Sequence, residues 1–169
     1  MSVPVDAPKP VSPLRVALVG CGKMGLHHLK AIAATKRAVV VGVADPRPPD
    51  ELRAQLDPAA IVTATAAELY ERARPDVVHI VTPPASHVAL ALEAIAAGCH
   101  VYVEKPFTLL RSDAARVIEA AAAKGVSVCA GHQVLFEAPA LTVRDRLPAI
   151  GRLVHVSSYF SFRMVRRTI

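Results

Sequence analysis

Gly20, Cys21, Gly22, Lys23, Met24 and Gly25 spell G-x-G-x-x-G between an apolar run at 14–19 and a helical pattern at 23–34. In that setting Gly20 permits a tight turn, Gly22 lets the backbone approach a pyrophosphate, and Gly25 lets the helix pack closely on the strand. The helix start offers unpaired N–H groups and the positive end of its dipole to phosphate oxygens. Lys23 adds a charge there or points to water, and Met24 shares the turn. Asp45 closes the next apolar run, at the distance of about twenty residues expected of an acid that accepts hydrogen bonds from ribose hydroxyls. Such a carboxylate favours NAD and repels a 2′-phosphate. Arg47, two residues on, is either a surface arginine or a partner for that phosphate, so NADP stays open.

A second set of chemical groups follows two later apolar runs. Thr82, Pro83, Pro84, Ser86 and His87 come after 76–81, and Glu104, Lys105 and Pro106 come after 100–103. Ligands of open parallel sheets bind outside the carboxyl ends of the strands, so both sets belong on the edge that carries the glycine turn. His27 and His28 are adjacent on one helix and point in different directions, so no shared metal is expected. His79, His100 and His155 read as structural, and helix capping is an alternative reading of His87.

The elements that must position these groups alternate. Strands are expected at 14–19, 39–44, 60–64, 76–81, 100–103 and 126–130. Helices are expected at 23–34, as a short stretch ending at 56, at 66–73, at 86–97, and from a cap at Ser112 or Asp113 to Lys124. Leu26, Leu29, Ile32 and Ala33 form the apolar stripe of the first helix, and Gly98 and Gly125 end later ones. This is an α/β pattern, a Rossmann doubly wound parallel sheet over 14–131. Residues 1–13 carry four prolines and read as a flexible tail. Residues 132–169 read as a linker helix ending near 147 and a strand at 153–162, alternating Val154, Val156, Phe160 and Phe162 with polar residues. Such a strand needs partners, so the chain is expected to stop just inside a truncated α+β domain.

The 169 residues are 53% apolar and 4% aromatic, which suits alanine-rich helices against Val/Ile/Leu strands. The formal charge of +6 comes with no recognition helix or aromatic-interleaved basic stripe, so no nucleic-acid partner is expected. No run is long and apolar enough for a membrane span. Three scattered cysteines suit a reducing, cytoplasmic compartment.

Taken together, the glycine turn, T-P-P-x-S-H at 82–87, A-x-x-A-G-x-H-V-Y-V-E-K-P at 94–106, G-H-Q-V-L-F at 131–136 and I-G-R-L at 150–153 resemble the Gfo/Idh/MocA oxidoreductases. The resemblance implies hydride transfer between NAD(P) and a hydroxyl or carbonyl carbon of a sugar, cyclitol or similar small polyol. It implies that Lys105 is catalytic, its ammonium orienting a substrate hydroxyl and stabilising the negative charge that develops as the proton leaves, with partial burial favouring the neutral amine. It implies that Thr82 and Pro83 contact the cofactor ribose and pyrophosphate, and that Glu104 and Pro106 shape the turn holding Lys105. It places His87 near the nicotinamide ribose. Gln133 stands where the family carries another amide, and Leu135 where it often carries arginine. The family's acid/base histidine and its aspartate would lie beyond Ile169, as would most of the substrate pocket and the sheet that builds homo-oligomers. The chain alone would then bind cofactor and turn over nothing. A stand-alone dinucleotide-binding or redox-sensing module, and an enzyme using S-adenosylmethionine, are the competing readings.

Overall fold

Short Val/Ile/Leu runs too apolar for an edge strand must be covered on both faces, and the chain does this by winding helices to either side of a parallel sheet. The computed structural model describes residues 12–157 and 159. Its order is β1 (Leu14–Val19), α1 (Lys23–Thr35), β2 (Ala38–Ala44), α2 (Asp50–Arg53), β3 (Ile61–Thr63), α3 (Ala66–Ala73), β4 (Val77–Ile80), α4 (His87–Ala96), β5 (His100–Val103), α5 (Arg111–Lys124), β6 (Val128–Ala130) and α6 (Ala138–Arg146). The six strands are all parallel, in the order β3-β2-β1-β4-β5-β6. The order reverses between β1 and β4, the switch point where such sheets open a crevice for a ligand.

Alternation along each strand divides the core. Ala17, Val19, Val78, Ile80, Val101 and Val103 face α3, α4 and α5, while Val16, Leu18 and Val43 face α1 and α2. Leu18, Leu69, Ile80 and Ile95 are almost wholly buried, each contributing about 1.5–3 kcal/mol. On α1 the buried residues are Gly25, Leu29 and Ile32. Leu26 is half-buried and Ala33 exposed, so the stripe expected through Leu26 and Ala33 is rotated toward Gly25. The rotation follows from packing: a Cβ at position 25 would stand 2.6 Å from the Gly20 carbonyl oxygen.

Three further expectations change. Neither Ser112 nor Asp113 caps α5, which starts at Arg111 behind Leu110 with no side-chain cap. β6 begins at Val128, because the N–H of Val126 turns back to Ala121 at the end of α5. Residues 153–157 hold no strand, and Val154 and Val156 are exposed; 158 and 160–162 lie outside the described residues. A strand exists only on a hydrogen-bonding neighbour, and 153–157 pair with none among the described residues.

Contacts divide the chain into one unit ending at His132 and a second beginning at Gln133. Among the described residues no helix is long and apolar enough to cross a membrane, and no group of three or more His, Cys, Asp or Glu is placed to hold a metal ion.

Candidate functional site

The turn between β1 and α1 is built by contacts that only glycine allows. Gly20 has φ +95°, and a Cβ there would meet Thr82 Cγ2 at 2.9 Å, so the backbones leaving β1 and β4 touch at this point. Gly25 lies against the Gly20 carbonyl. Gly22, by contrast, is exposed, and its Cβ would enter open space. Nothing among the described residues therefore demands glycine at 22, whereas close approach of a phosphate does. Gly22 is the N-cap of α1, with no side-chain cap bond and no acid in the first turn, so the helix start is left to an outside anion. Lys23 and Met24 are exposed beside it.

Asp45 is fixed before any ligand arrives. Its Oδ2 accepts from the Cys21 N–H and its Oδ1 from the Arg47 N–H, both at 2.8 Å, tying the glycine turn to the end of β2. Each carboxylate oxygen keeps a further lone pair. The Arg47 side chain is exposed, and its backbone serves Asp45. Burial, reinforced by Asp45, pushes the Cys21 thiol up to about 12, so it stays an inert thiol. A cleft of about 410 Å³ opens over these strand ends, lined by Gly20, Asp45, Pro46, Thr65, Thr82 and Pro83 among others.

At the end of β4 the Ser86 hydroxyl donates to the Pro83 carbonyl at 2.8 Å, and since it has one proton, the Thr82 hydroxyl is the donor in the 2.7 Å contact with Ser86. His87, 1% exposed, has Nδ1 2.9 Å from the Pro106 carbonyl and Nε2 2.9 Å from the Thr82 carbonyl. A neutral imidazole carries one N–H, so it donates to one of these two carbonyls while its other nitrogen faces the second. The imidazole packs between the T-P-P loop and the E-K-P turn.

Glu104 is buried, and its Oε2 accepts from the Lys105 N–H at 3.0 Å. Lys105 itself is exposed, contrary to the partial burial expected, since nothing in the first unit covers the end of β5. Gln133 opens the second unit in a single 3₁₀ turn, Gln133–Phe136, and is exposed, as is Leu135. The first unit therefore brings together the glycine turn, Asp45, Thr82, Pro83, Glu104 and Lys105 along one sheet edge, and Gln133 belongs to the second unit.

The residues present fit a dinucleotide: an uncapped helix start, an exposed Gly22 and a pre-aimed carboxylate on one cleft. The sequence model of an oxidoreductase family with an NAD-binding Rossmann fold matches residues 14–132. The chain belongs to the Gfo/Idh/MocA oxidoreductases. Relatives include inositol 2-dehydrogenase of Acidiphilium cryptum, 35% identical over 66% of this chain and 34% of its own. Another is UDP-N-acetylglucosamine 3-dehydrogenase of Acidithiobacillus ferrooxidans, 33% identical over 70% of this chain and 37% of its own. The crystal structure of WlbA dehydrogenase from Bordetella pertussis, solved with NADH and UDP-GlcNAcA, superposes with a TM-score of 0.73 at 27% identity, covering 81% of this chain and 42% of that one. The chain thus spans less than half the length of these relatives. Its cofactor is of the NAD class, and its fold is that of the family's NAD-binding domain.

Sequence reasoning passed over one cluster at this edge. His28 on α1 and His79 on β4 meet Nδ1 to Nδ1 at 2.9 Å, and His28 Nε2 lies 3.4 Å from Glu104 Oε1. The signal was available in the strands: His79 and Tyr102 are register partners on the face opposite Val78 and Val101, which turns both toward α1.

Proposed function

We propose that the chain is the cofactor-binding part of an NAD-dependent oxidoreductase that oxidises a CH–OH carbon of a sugar, cyclitol or similar small polyol, or reduces the matching carbonyl. The observation that carries this reading is the placement of Lys105 on the same sheet edge as the glycine turn and Asp45, with its backbone N–H held by Glu104 and the following Pro106 carbonyl 2.9 Å from His87 Nδ1. A bound dinucleotide supplies the hydride acceptor.

The chain's own residues do the rest of the work assigned to this half. The start of α1 takes the pyrophosphate, Asp45 takes the adenosine ribose and selects NAD, and Thr82 and Pro83 wall the cleft. Lys105 orients the substrate hydroxyl and stabilises the charge left as its proton departs. The acid/base histidine, its aspartate and most of the substrate pocket belong to the further chain that the relatives carry, as do the sheet contacts that make a homo-oligomer. The 169 residues alone then bind cofactor without turnover, in a reducing cytoplasmic setting where Cys21, Cys99 and Cys129 stay free, as they are here.

The test is turnover by the full-length polypeptide with NAD and a panel of cyclitols and nucleotide sugars, set beside its Lys105→Met variant. Activity on one of these alcohols, lost by at least about a hundredfold in the variant while NADH still binds, supports the reading. Undiminished turnover in Lys105→Met refutes the role of Lys105.

A further inference from the structure

We infer that His79 and His28 form a two-imidazole strut that positions Glu104, and through it Lys105, for the reaction. The inference rests on the catalytic role proposed for Lys105.

β4 reads Val77, Val78, His79, Ile80, one imidazole in an apolar strand. A half-buried ring there loses hydration that only a specific partner offsets. The partner is His28, across from β4 on α1, with ring centroids 5.2 Å apart and planes at 84°. Tyr102 stacks on His79 at 4.8 Å and meets His28 edge-on at 5.3 Å, which fixes both rings in rotation. Beyond His28 stands Glu104, whose other oxygen holds the Lys105 N–H. Four groups from three elements thus end on the backbone of the reacting lysine.

The protons order themselves from the acceptor end. Glu104 takes a hydrogen from His28 Nε2, which leaves His28 Nδ1 as a lone pair, and His79 must supply the hydrogen between the two Nδ1 atoms. The strut therefore requires a bare Nδ1 on His28, and so a neutral His28 ring, while His79 contributes its Nδ1–H. Burial pulls His79 down to about 4, helped by His28, and also lowers His28 despite the opposing pull of Glu104. The titratable groups facing the pair are His27 from α1, Tyr102 from β5, Glu104 just past the end of β5, and Cys129 of β6 beside Tyr102. A second proton on His28 would set two N–H groups against each other and part the rings.

A strut and a merely structural pair differ in what the lysine feels. His28→Ala is expected to lower kcat of the full-length polypeptide about tenfold with KM for NAD within about twofold, and His28→Gln, which restores a donor to Glu104, to recover most of that loss. In His79→Phe the stacked shape stays but His28 Nδ1 loses its donor and takes a proton more readily, so the acid limb of kcat moves to higher pH. Wild-type kcat and pH profile in His28→Ala and His79→Phe, while Lys105→Met is inactive, would overturn the strut alone. An active Lys105→Met would overturn the reading on which it rests. A readout free of turnover, and of variants that fail to fold, is ¹⁵N NMR of the wild-type imidazoles at pH 7. Scalar coupling between two Nδ1 atoms, one protonated and one bare, supports the strut, and its absence overturns it.

Discussion

Gly22 and Gly25 sit three residues apart in one turn, yet substitution at each should fail in opposite ways. At Gly25 an added Cβ stands 2.6 Å from the Gly20 carbonyl oxygen and 3.6 Å from Leu52 Cδ1. Even the weak C–H···O contacts seen in proteins run to about 3.3–3.6 Å, so α1 must retreat from β1 by the better part of an ångström. Overpacking of that kind costs about 1–3 kcal/mol, which for a chain of this size lowers the melting temperature by about 2–12 °C. At Gly22, with φ −66° and ψ −165°, the backbone suits any residue and the Cβ meets nothing within 4 Å. Gly22→Val should therefore leave the melting temperature of the free chain within about 2 °C. The Val side chain instead fills the space through which the pyrophosphate reaches the helix start. Thermal melts with and without NADH read both effects. At a hundred times its Kd, NADH stabilises the wild type by about 2.7 kcal/mol, an upward shift of about 5–11 °C. Gly25→Ala should melt early and still shift; Gly22→Val should melt as wild type and not shift. A full NADH shift in Gly22→Val would refute the placement of the pyrophosphate at α1.

Removing the buried imidazole by His87→Ala takes the one N–H from whichever of the Thr82 and Pro106 carbonyls receives it and should cost about 1–3 kcal/mol, read in the melt without NADH. His79 makes the chain acid-sensitive: its unfolded form gains a proton as pH falls through about 6.5, the folded form only near 4, so stability is complete above that window and declines through it. The loss reaches about 3 kcal/mol at most from His79, with His28 acting in the same direction, and His79→Val should flatten the melting temperature between pH 7 and 4. Asp45→Ala should weaken NADH at least about tenfold and erase discrimination against NADPH, measured by calorimetry.

What the sequence made legible was whatever is local. The glycine turn, Asp45, β1, α3 and β5 each declare themselves within a few residues, because turn geometry and apolar periodicity are properties of neighbours. Elements whose limits are set elsewhere came out shifted. The face of α1 is decided by the fit of Gly25 on Gly20 rather than by the largest apolar stripe, and the start of β6 by the way Val126 closes α5. The stretch at 153–157 alternates as a strand should but pairs with no neighbour among the described residues. The site divides the same way. Asp45 and Lys105 follow from motifs, but the roles of His87, His28 and His79 depend on carbonyls and carboxylates brought from other strands, which no spacing along the chain encodes.

The central claim is that the edge formed by the glycine turn and Asp45 holds NAD in preference to NADP. Calorimetric titration of NADH and NADPH into the chain tests it most directly. The account predicts one site per chain, with NADH tighter by at least about tenfold because Asp45 meets the 2′-phosphate with like charge. Absence of NADH binding, or tighter binding of NADPH, would contradict it.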